Sequence, residues 1–198
     1  RNGSLPDKNT EYLLYQTLIG AWLQPPEPAD GFGARIDAYM IKAAREAGRH
    51  TSWRRPDPNY EDALSAFVGG ILDPSPENAF LPDLADFCRP IAWYGAINSL
   101  SQCLLKIALP GLPDFYQGTE LPQLALVDPD NRRPVDFEKR KRILGEMRSR
   151  ASTDPLQLIH ELLADPRDGR IKAFLIARAL RARNENAALF ERGTYVPL

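Results

Sequence analysis

Two cysteines and two histidines in 198 residues leave little for metal or disulfide chemistry. Cys88 and Cys103 form no C-x-x-C pair and neither lies beside a histidine, so neither a zinc site nor a disulfide framework is predicted. Charge of one sign is also lacking: 25 Lys and Arg stand against 26 Asp and Glu, a formal net charge of −1. Without a basic excess there is no electrostatic drive toward nucleic acid or a membrane surface, and neither is expected as a partner. No run approaches the roughly 18 apolar residues of a membrane span. Glycine-rich phosphate loops, H-E-x-x-H, G-x-S-x-G and dinucleotide fingerprints are all missing, which excludes several enzyme classes and leaves no cofactor to expect. The sequence opens Arg1-Asn2-Gly3-Ser4 with no initiator Met or targeting segment, and closes Tyr195-Val196-Pro197-Leu198. It reads as an internal piece of a longer, cytoplasmic protein. With 43% apolar and 26% charged residues, the composition is that of one or two globular domains.

Proline is the residue in excess, 18 of 198 against a usual ~5%. The prolines punctuate: Pro25, Pro26 and Pro28 close one segment, Pro56 and Pro58 open another, Pro74 and Pro76 close it, and Pro110 and Pro113 bracket a turn. Between them the apolar spacing is helical. Ile36, Tyr39, Met40, Ala43, Ala44 and Ala47 form a stripe ending at Gly48. Tyr60, Leu64, Phe67, Val68, Ile71 and Leu72 form another, with Pro58 placed where a first helical turn tolerates it. Further helices are predicted over 12–22, 136–147, 154–163 and 171–183, those at 136 and 154 each opened by an Asp. The segment 91–109 is apolar all round and is predicted to be buried on most of its surface. Strand signals are confined to 113–116 and 124–127, and Gln24 to Gly33 reads as a hinge.

Three polar constellations have chemical potential. Pro110 to Glu120 carries Tyr116, a stacking face, and Gln117 and Glu120, which suit sugar hydroxyls; the plainer reading makes Tyr116 core and Glu120 a cap. In Asp128 to Asp136, Asp130, Arg132 and Arg133 stand between two prolines, as in polyol recognition by bidentate groups or in a turn with local ion pairs. His50 and Trp53 follow the Ala-rich helix, where Trp53 is either a carbohydrate platform or packed back on that helix. His160 lies in an amphipathic helix without an obvious partner, and Glu138 to Arg142 reads as a solvated face.

Five segments in order carry a resemblance: Thr10–Trp22 (TEYLLYQTLIGAW), His50–Trp53 (HTSW), Gly95–Gln102 (GAINSLSQ), Pro110–Glu120 (PGLPDFYQGTE) and Val127–Phe137 (VDPDNRRPVDF). Together they resemble the maltooligosyl trehalose synthase family of the α-amylase clan, glycoside hydrolase family 13. The resemblance implies a mainly α chain, a helical fragment of an α-amylase-type (β/α)8 barrel enzyme with one or two short strands. Residues 1–108 would follow barrel strand seven, 109–150 would hold the eighth strand, polar loop and last barrel helix, and 151–198 would lead toward a β-domain. It implies conversion of the reducing-end α-1,4 bond of a maltooligosaccharide into an α,α-1,1 bond, by a retaining mechanism. No segment matches the clan's catalytic carboxylate motifs, and no His-Asp pair occurs, so no catalytic residue is expected here. The resemblance makes Tyr116, Gln117, Glu120, Asp130, Arg132, Arg133, His50 and Trp53 glucan-binding or supporting residues. The partners expected are the maltooligosaccharide and, through the 91–109 helix, a second copy of the chain. The other reading is an independent helical module that binds glucan or a protein without catalysis.

Overall fold

The computed structural model describes residues 6–22 and 31–196. Eight α-helices are present among them: α1 (Lys8–Ala21), α2 (Phe32–Ala47), α3 (Pro58–Ile71), α4 (Phe80–Ala108), α5 (Phe137–Thr153), α6 (Pro155–Ala164), α7 (Arg170–Glu185) and α8 (Ala187–Arg192). Single 3₁₀ turns occur at Asp130–Arg132 and Pro166–Asp168. The hinge expected at 24–33 lies, through residue 30, outside the described residues. The chain forms two compact units: one comprises residues up to Ala92 together with Leu124–Arg133, the other Trp93–Gln123 together with the chain from Pro134. Helix α4 gives its first part to one and the remainder to the other.

The first unit is built on a repeat of four. Leu14 and Leu18 on α1, Phe32, Ile36 and Met40 on α2, Tyr60, Leu64 and Val68 on α3, and Leu84 and Cys88 on α4 are all buried in one cluster. Side chains four apart share a helix face, so each helix presents one stripe to a common core. Local chemistry sets the ends. Asp7 accepts from the backbone N–H groups of Asn9 and Thr10, Asp57 caps α3 ahead of Pro58, and Gly48 closes α2 in the left-handed conformation at φ +65°.

The second unit has two smaller clusters. Met147, Leu158, Leu162 and Ile171 join α5, α6 and α7, while Cys103 and Ile107 of α4 pack on Ile176. Asp136 and Asp154 accept from the N–H groups of Lys139 and Gln157 and start α5 and α6 as their positions predict. Gly169, at φ +81°, lies against the ring of Pro122 with no room for a Cβ.

Three expectations change. Residues 113–116 and 124–127 run without a strand ladder, because no strand lies beside either among the described residues. Helix α4 begins at Phe80 and continues through Pro90, eleven residues earlier than the apolar run indicates. Its later part is not buried all round: Tyr94 is 68% and Leu105 58% exposed, and Trp93 and Leu104 are exposed too. The face carrying Leu100, Cys103 and Ile107 packs within this unit, and Lys106 reaches Asp114 and Phe115.

The core account makes a direct prediction. Ile36→Ala removes a fully buried side chain of α2 and should cost about 2–5 kcal/mol in urea unfolding. Leu112→Ala, at a position 96% exposed, should stay within about 0.5 kcal/mol of wild type.

Candidate functional site

The loop at 124–133 is held on α2. The Arg35 guanidinium donates from Nε to Asp130 Oδ1 and from Nη2 to Asp130 Oδ2, each at 2.8 Å, and Nη2 also donates to the Leu124 carbonyl at 2.9 Å. Asp130 Oδ2 accepts the Leu126 N–H at 2.7 Å as well. This arrangement holds the Asp130 carboxyl below the usual aspartate range: Arg35 is the main cause, burial opposes it, and the Leu126 N–H adds to it. Two turns further along α2, the Lys42 ammonium donates to the Asp128 carbonyl. Arg35, Tyr39 and Lys42 are spaced i, i+4, i+7, so they form a single stripe beside the buried one.

Between this stripe and the loop lies a cavity of about 410 Å³, lined by Arg35, Tyr39, Lys42, Trp53, Asp128 and Asp130 among others. The Trp53 indole is 58% exposed and forms one wall. The Arg45 guanidinium lies over its ring, 4.9 Å from the centroid. Arg45 in turn forms a bidentate pair with Glu61, at 2.8 Å from Nε and 2.5 Å from Nη2. The Thr51 hydroxyl, buried, donates to Glu61 Oε1 at 2.5 Å and accepts the Asp57 N–H at 3.0 Å. Hydrogen bonds from Arg45 first, then Thr51, bring the Glu61 carboxyl down to about 2.

An aromatic face, a carboxylate and an ammonium around a half-open space of this size suit a neutral, hydroxyl-rich ring. The structure brings Trp53 and Asp130 to this cavity. Arg132 and Arg133 flank it in the same loop: Arg132 pairs with Asp128 at 2.6 Å and Arg133 donates to the Asp130 carbonyl at 3.1 Å, both guanidiniums remaining exposed. His50 is not part of it. Its Nε2 stands 3.2 Å from Asp7 Oδ2 and its ring stacks on Tyr60 at 4.8 Å, at a separate cavity of about 270 Å³.

Tyr116, Gln117 and Glu120 belong to the second unit. There Tyr116 and Gln117 are exposed, and Glu120 accepts from Arg140 Nε at 3.2 Å. Arg140 also donates to the carbonyls of Gly118, at 2.6 Å, and Asp136, at 3.0 Å. The solvated face expected at 138–142 therefore has an exception: Arg140 points inward and braces the 116–120 turn, because that turn offers two acceptors within reach. Arg35, Lys42, Arg45 and Glu61 are the residues that sequence reasoning missed. The seven-residue spacing of Arg35 and Lys42 was the available signal.

The same helical arrangement recurs inside larger synthase chains of known structure. A crystal structure of maltooligosyl trehalose synthase matches with a TM-score of 0.83 at 36% identity, covering 96% of this chain and 25% of that one. A maltooligosyltrehalose synthase structure from Arthrobacter ramosus matches with a TM-score of 0.71 at 36% identity, covering 90% of this chain and 21% of that one. Among curated proteins, a Mycobacterium tuberculosis protein provisionally named maltooligosyl trehalose synthase, in strains CDC 1551 / Oshkosh and ATCC 25618 / H37Rv, is 32% identical over 193 residues, 98% of this chain. The chain spans 22% of the length of those relatives. No protein-family profile matches. The chain is homologous along nearly its whole length to one segment of maltooligosyl trehalose synthases.

Two predictions follow from the geometry. Asp130→Asn leaves Arg35 without its counter-charge and should cost about 1.5–3 kcal/mol in urea unfolding, with loss of hydrogen-exchange protection at the Leu126 amide; retained protection would show that the carboxylate does not hold the loop. Glu61 has a folded pKa near 2 against an ordinary 4.5, so the stability it contributes is present above about pH 4.5 and is lost as pH falls toward 2. Across that window wild type should lose stability more steeply than Glu61→Gln, and parallel curves would contradict the fork's contribution.

Proposed function

We propose that this chain is part of an enzyme that converts the reducing-end α-1,4 bond of a maltooligosaccharide into an α,α-1,1 bond, forming maltooligosyl trehalose. The observation that carries the reading is homology to synthases of that name over 98% of the chain, with agreement in fold at a TM-score of 0.83. On this reading the chain belongs to the α-amylase clan and works in the cytoplasm. Residues 1–108 follow barrel strand seven, 109–150 hold the eighth strand, the loop and the last barrel helix, and 151–198 lead to a further β-domain. The unladdered segments 113–116 and 124–127 find their neighbours in the rest of the barrel. The apolar residues that α4 leaves open are covered there as well.

The reaction needs a carboxylate nucleophile and a carboxylic acid–base about the scissile bond. Those groups come from the part of the relatives' length that this chain does not span. The chain's own contribution is to hold the glucan. Trp53 offers a stacking face, and Lys42 and Asp128 offer a donor and an acceptor to ring hydroxyls. Arg132 and Arg133 add charged donors at the rim, while the Asp130 side chain, 15% exposed against 47% for Asp128, supports the loop instead of touching sugar. Tyr116, Gln117 and Glu120 contribute from the second unit, and His50 supports the fold of the first through Asp7 and Tyr60. A firm hold on the released glucose matters because it must turn and return its anomeric hydroxyl before water intervenes.

The 198-residue chain by itself should therefore bind maltopentaose and leave it unchanged. Calorimetry should show binding that Trp53→Ala abolishes, and chromatography should show neither maltooligosyl trehalose nor new reducing ends. Turnover by the isolated chain would contradict the division of labour; binding unaffected by Trp53→Ala would contradict the site. In sedimentation the isolated chain should associate as concentration rises, since exposed apolar patches such as that on α4 seldom stay bare. A strictly monomeric species would show that this face needs no cover.

A further inference from the structure

The Trp53 indole stands open on the cavity although it follows a helix end in a polar loop. A local turn, with the Ser52 N–H on the Arg55 carbonyl at 3.2 Å and the Arg55 N–H on Ser52 Oγ at 3.0 Å, holds the backbone on either side of it. Two further contacts bear on the indole, and both trace to one carboxylate. Glu61, projecting from α3, holds Arg45 of α2 in a bidentate pair, and the Arg45 guanidinium lies over the indole, 4.9 Å from its centroid. The other contact runs through the backbone. Glu61 Oε1 accepts the hydroxyl of Thr51, two residues before Trp53, and that hydroxyl also accepts the Asp57 N–H, so the loop is closed on itself around Trp53. The side chains of Glu61 and Arg45 are only 12% and 27% exposed, and Thr51 is buried, whereas the indole they support remains open to solvent.

Besides tying α2 to α3, this largely covered polar network ends on an exposed aromatic face. There it sets a direction. An exposed Trp samples several rotamers, and a ligand that needs one of them must offset the ordering; a face already fixed removes that cost. Arg45 suits the task because its planar guanidinium can pair with a carboxylate at one edge and stack on a ring with its face, which an ammonium cannot do.

We propose that Glu61 is a positioning residue for saccharide binding: acting through Arg45 and Thr51, it holds Trp53 as a preset stacking face for one pyranose ring in the cavity beside α2. The proposal rests on the reading of that cavity as a glucan site and adds a residue that would not itself touch sugar.

The test uses the 198-residue chain with ¹⁵N-labelled indoles and maltopentaose as the probe. Trp53→Ala identifies the Trp53 indole N–H resonance and sets the baseline for binding. Glu61→Gln keeps the shape of the side chain and removes the ionic fork; Arg45→Lys keeps the charge opposite Glu61 and removes the guanidinium over the indole. Both should move the unliganded Trp53 resonance and weaken Kd five- to tenfold, with helix content unchanged by circular dichroism. If Glu61→Gln fails to fold, Arg45→Lys carries the test. In chains that already carry Trp53→Phe, which keeps a ring for weak stacking, Glu61→Gln should change Kd less than twofold, because the indole that Arg45 holds is gone. An equal loss in both backgrounds would assign Glu61 a structural role only and overturn the proposal. A wild-type Kd in Glu61→Gln, with binding lost in Trp53→Ala, would overturn it while leaving the glucan site standing. No binding by wild type, or wild-type binding by Trp53→Ala, would overturn the glucan reading and the proposal with it.

Discussion

The pairing of Arg35 with Asp130 is the contact on which the candidate site depends. Ninety-five positions separate the two residues, yet both guanidinium edge donors meet both carboxylate oxygens at 2.8 Å. One of those oxygens also accepts from the backbone of the loop, so the pair fixes the chain path as well as a side chain. Without it the loop has few apolar anchors: Leu126 packs against the core, but Val127, Pro129 and Arg132 are exposed. A half-buried ion pair with its remaining lone pair satisfied escapes the main penalty of burying charge, which falls on unpaired groups. Helix α2 can make this contact because its neighbouring stripe, Phe32, Ile36 and Met40, is locked in the core. The helix is thus a rigid rod with one apolar face inward and one basic face toward the loop.

Much of the helical framework was legible because each stripe and its cap say the same thing. The residues 36–47 repeat apolar side chains at three and four and then meet Gly48, which takes the left-handed turn that ends α2. Asp57 with Pro58, and Asp154 with Pro155, mark helix starts in the same unambiguous way. The failures have physical causes as well. Pro90, just ahead of the predicted 91–109 segment, lacks the N–H that the Asp86 carbonyl would accept, and its ring crowds that turn. Helix α4 nevertheless runs through it, held on both sides by Leu84 and Cys88 before and Cys103 and Ile107 after. The short apolar runs at 113–116 and 124–127 look like strands, but a strand exists only with a neighbour, which no single segment can reveal.

The site was half legible for a related reason. Residue types announce what a loop is able to bind, whereas pairing partners depend on the fold. Asp128 to Arg133 was recognisable as a stiff polar loop, but that Asp130 would spend its carboxylate on Arg35 was not. Arg140 shows the same limit from the other side: within Glu138 to Arg142 it is indistinguishable by sequence from its neighbours, and only the nearby carbonyl of Gly118 and carboxylate of Glu120 single it out. His50 and Trp53, three residues apart, turn to different cavities because one finds Asp7 and Tyr60 while the other finds Arg45.

The central claim is that the cavity walled by Trp53 and the 124–130 loop receives a sugar ring. A crystal structure of the chain soaked with maltopentaose tests it most directly. The account predicts a pyranose lying flat on the Trp53 indole, with hydroxyls at the Lys42 ammonium and the Asp128 carboxylate. Saccharide bound only at the His50 cavity, or elsewhere on the chain with the indole bare, would contradict it.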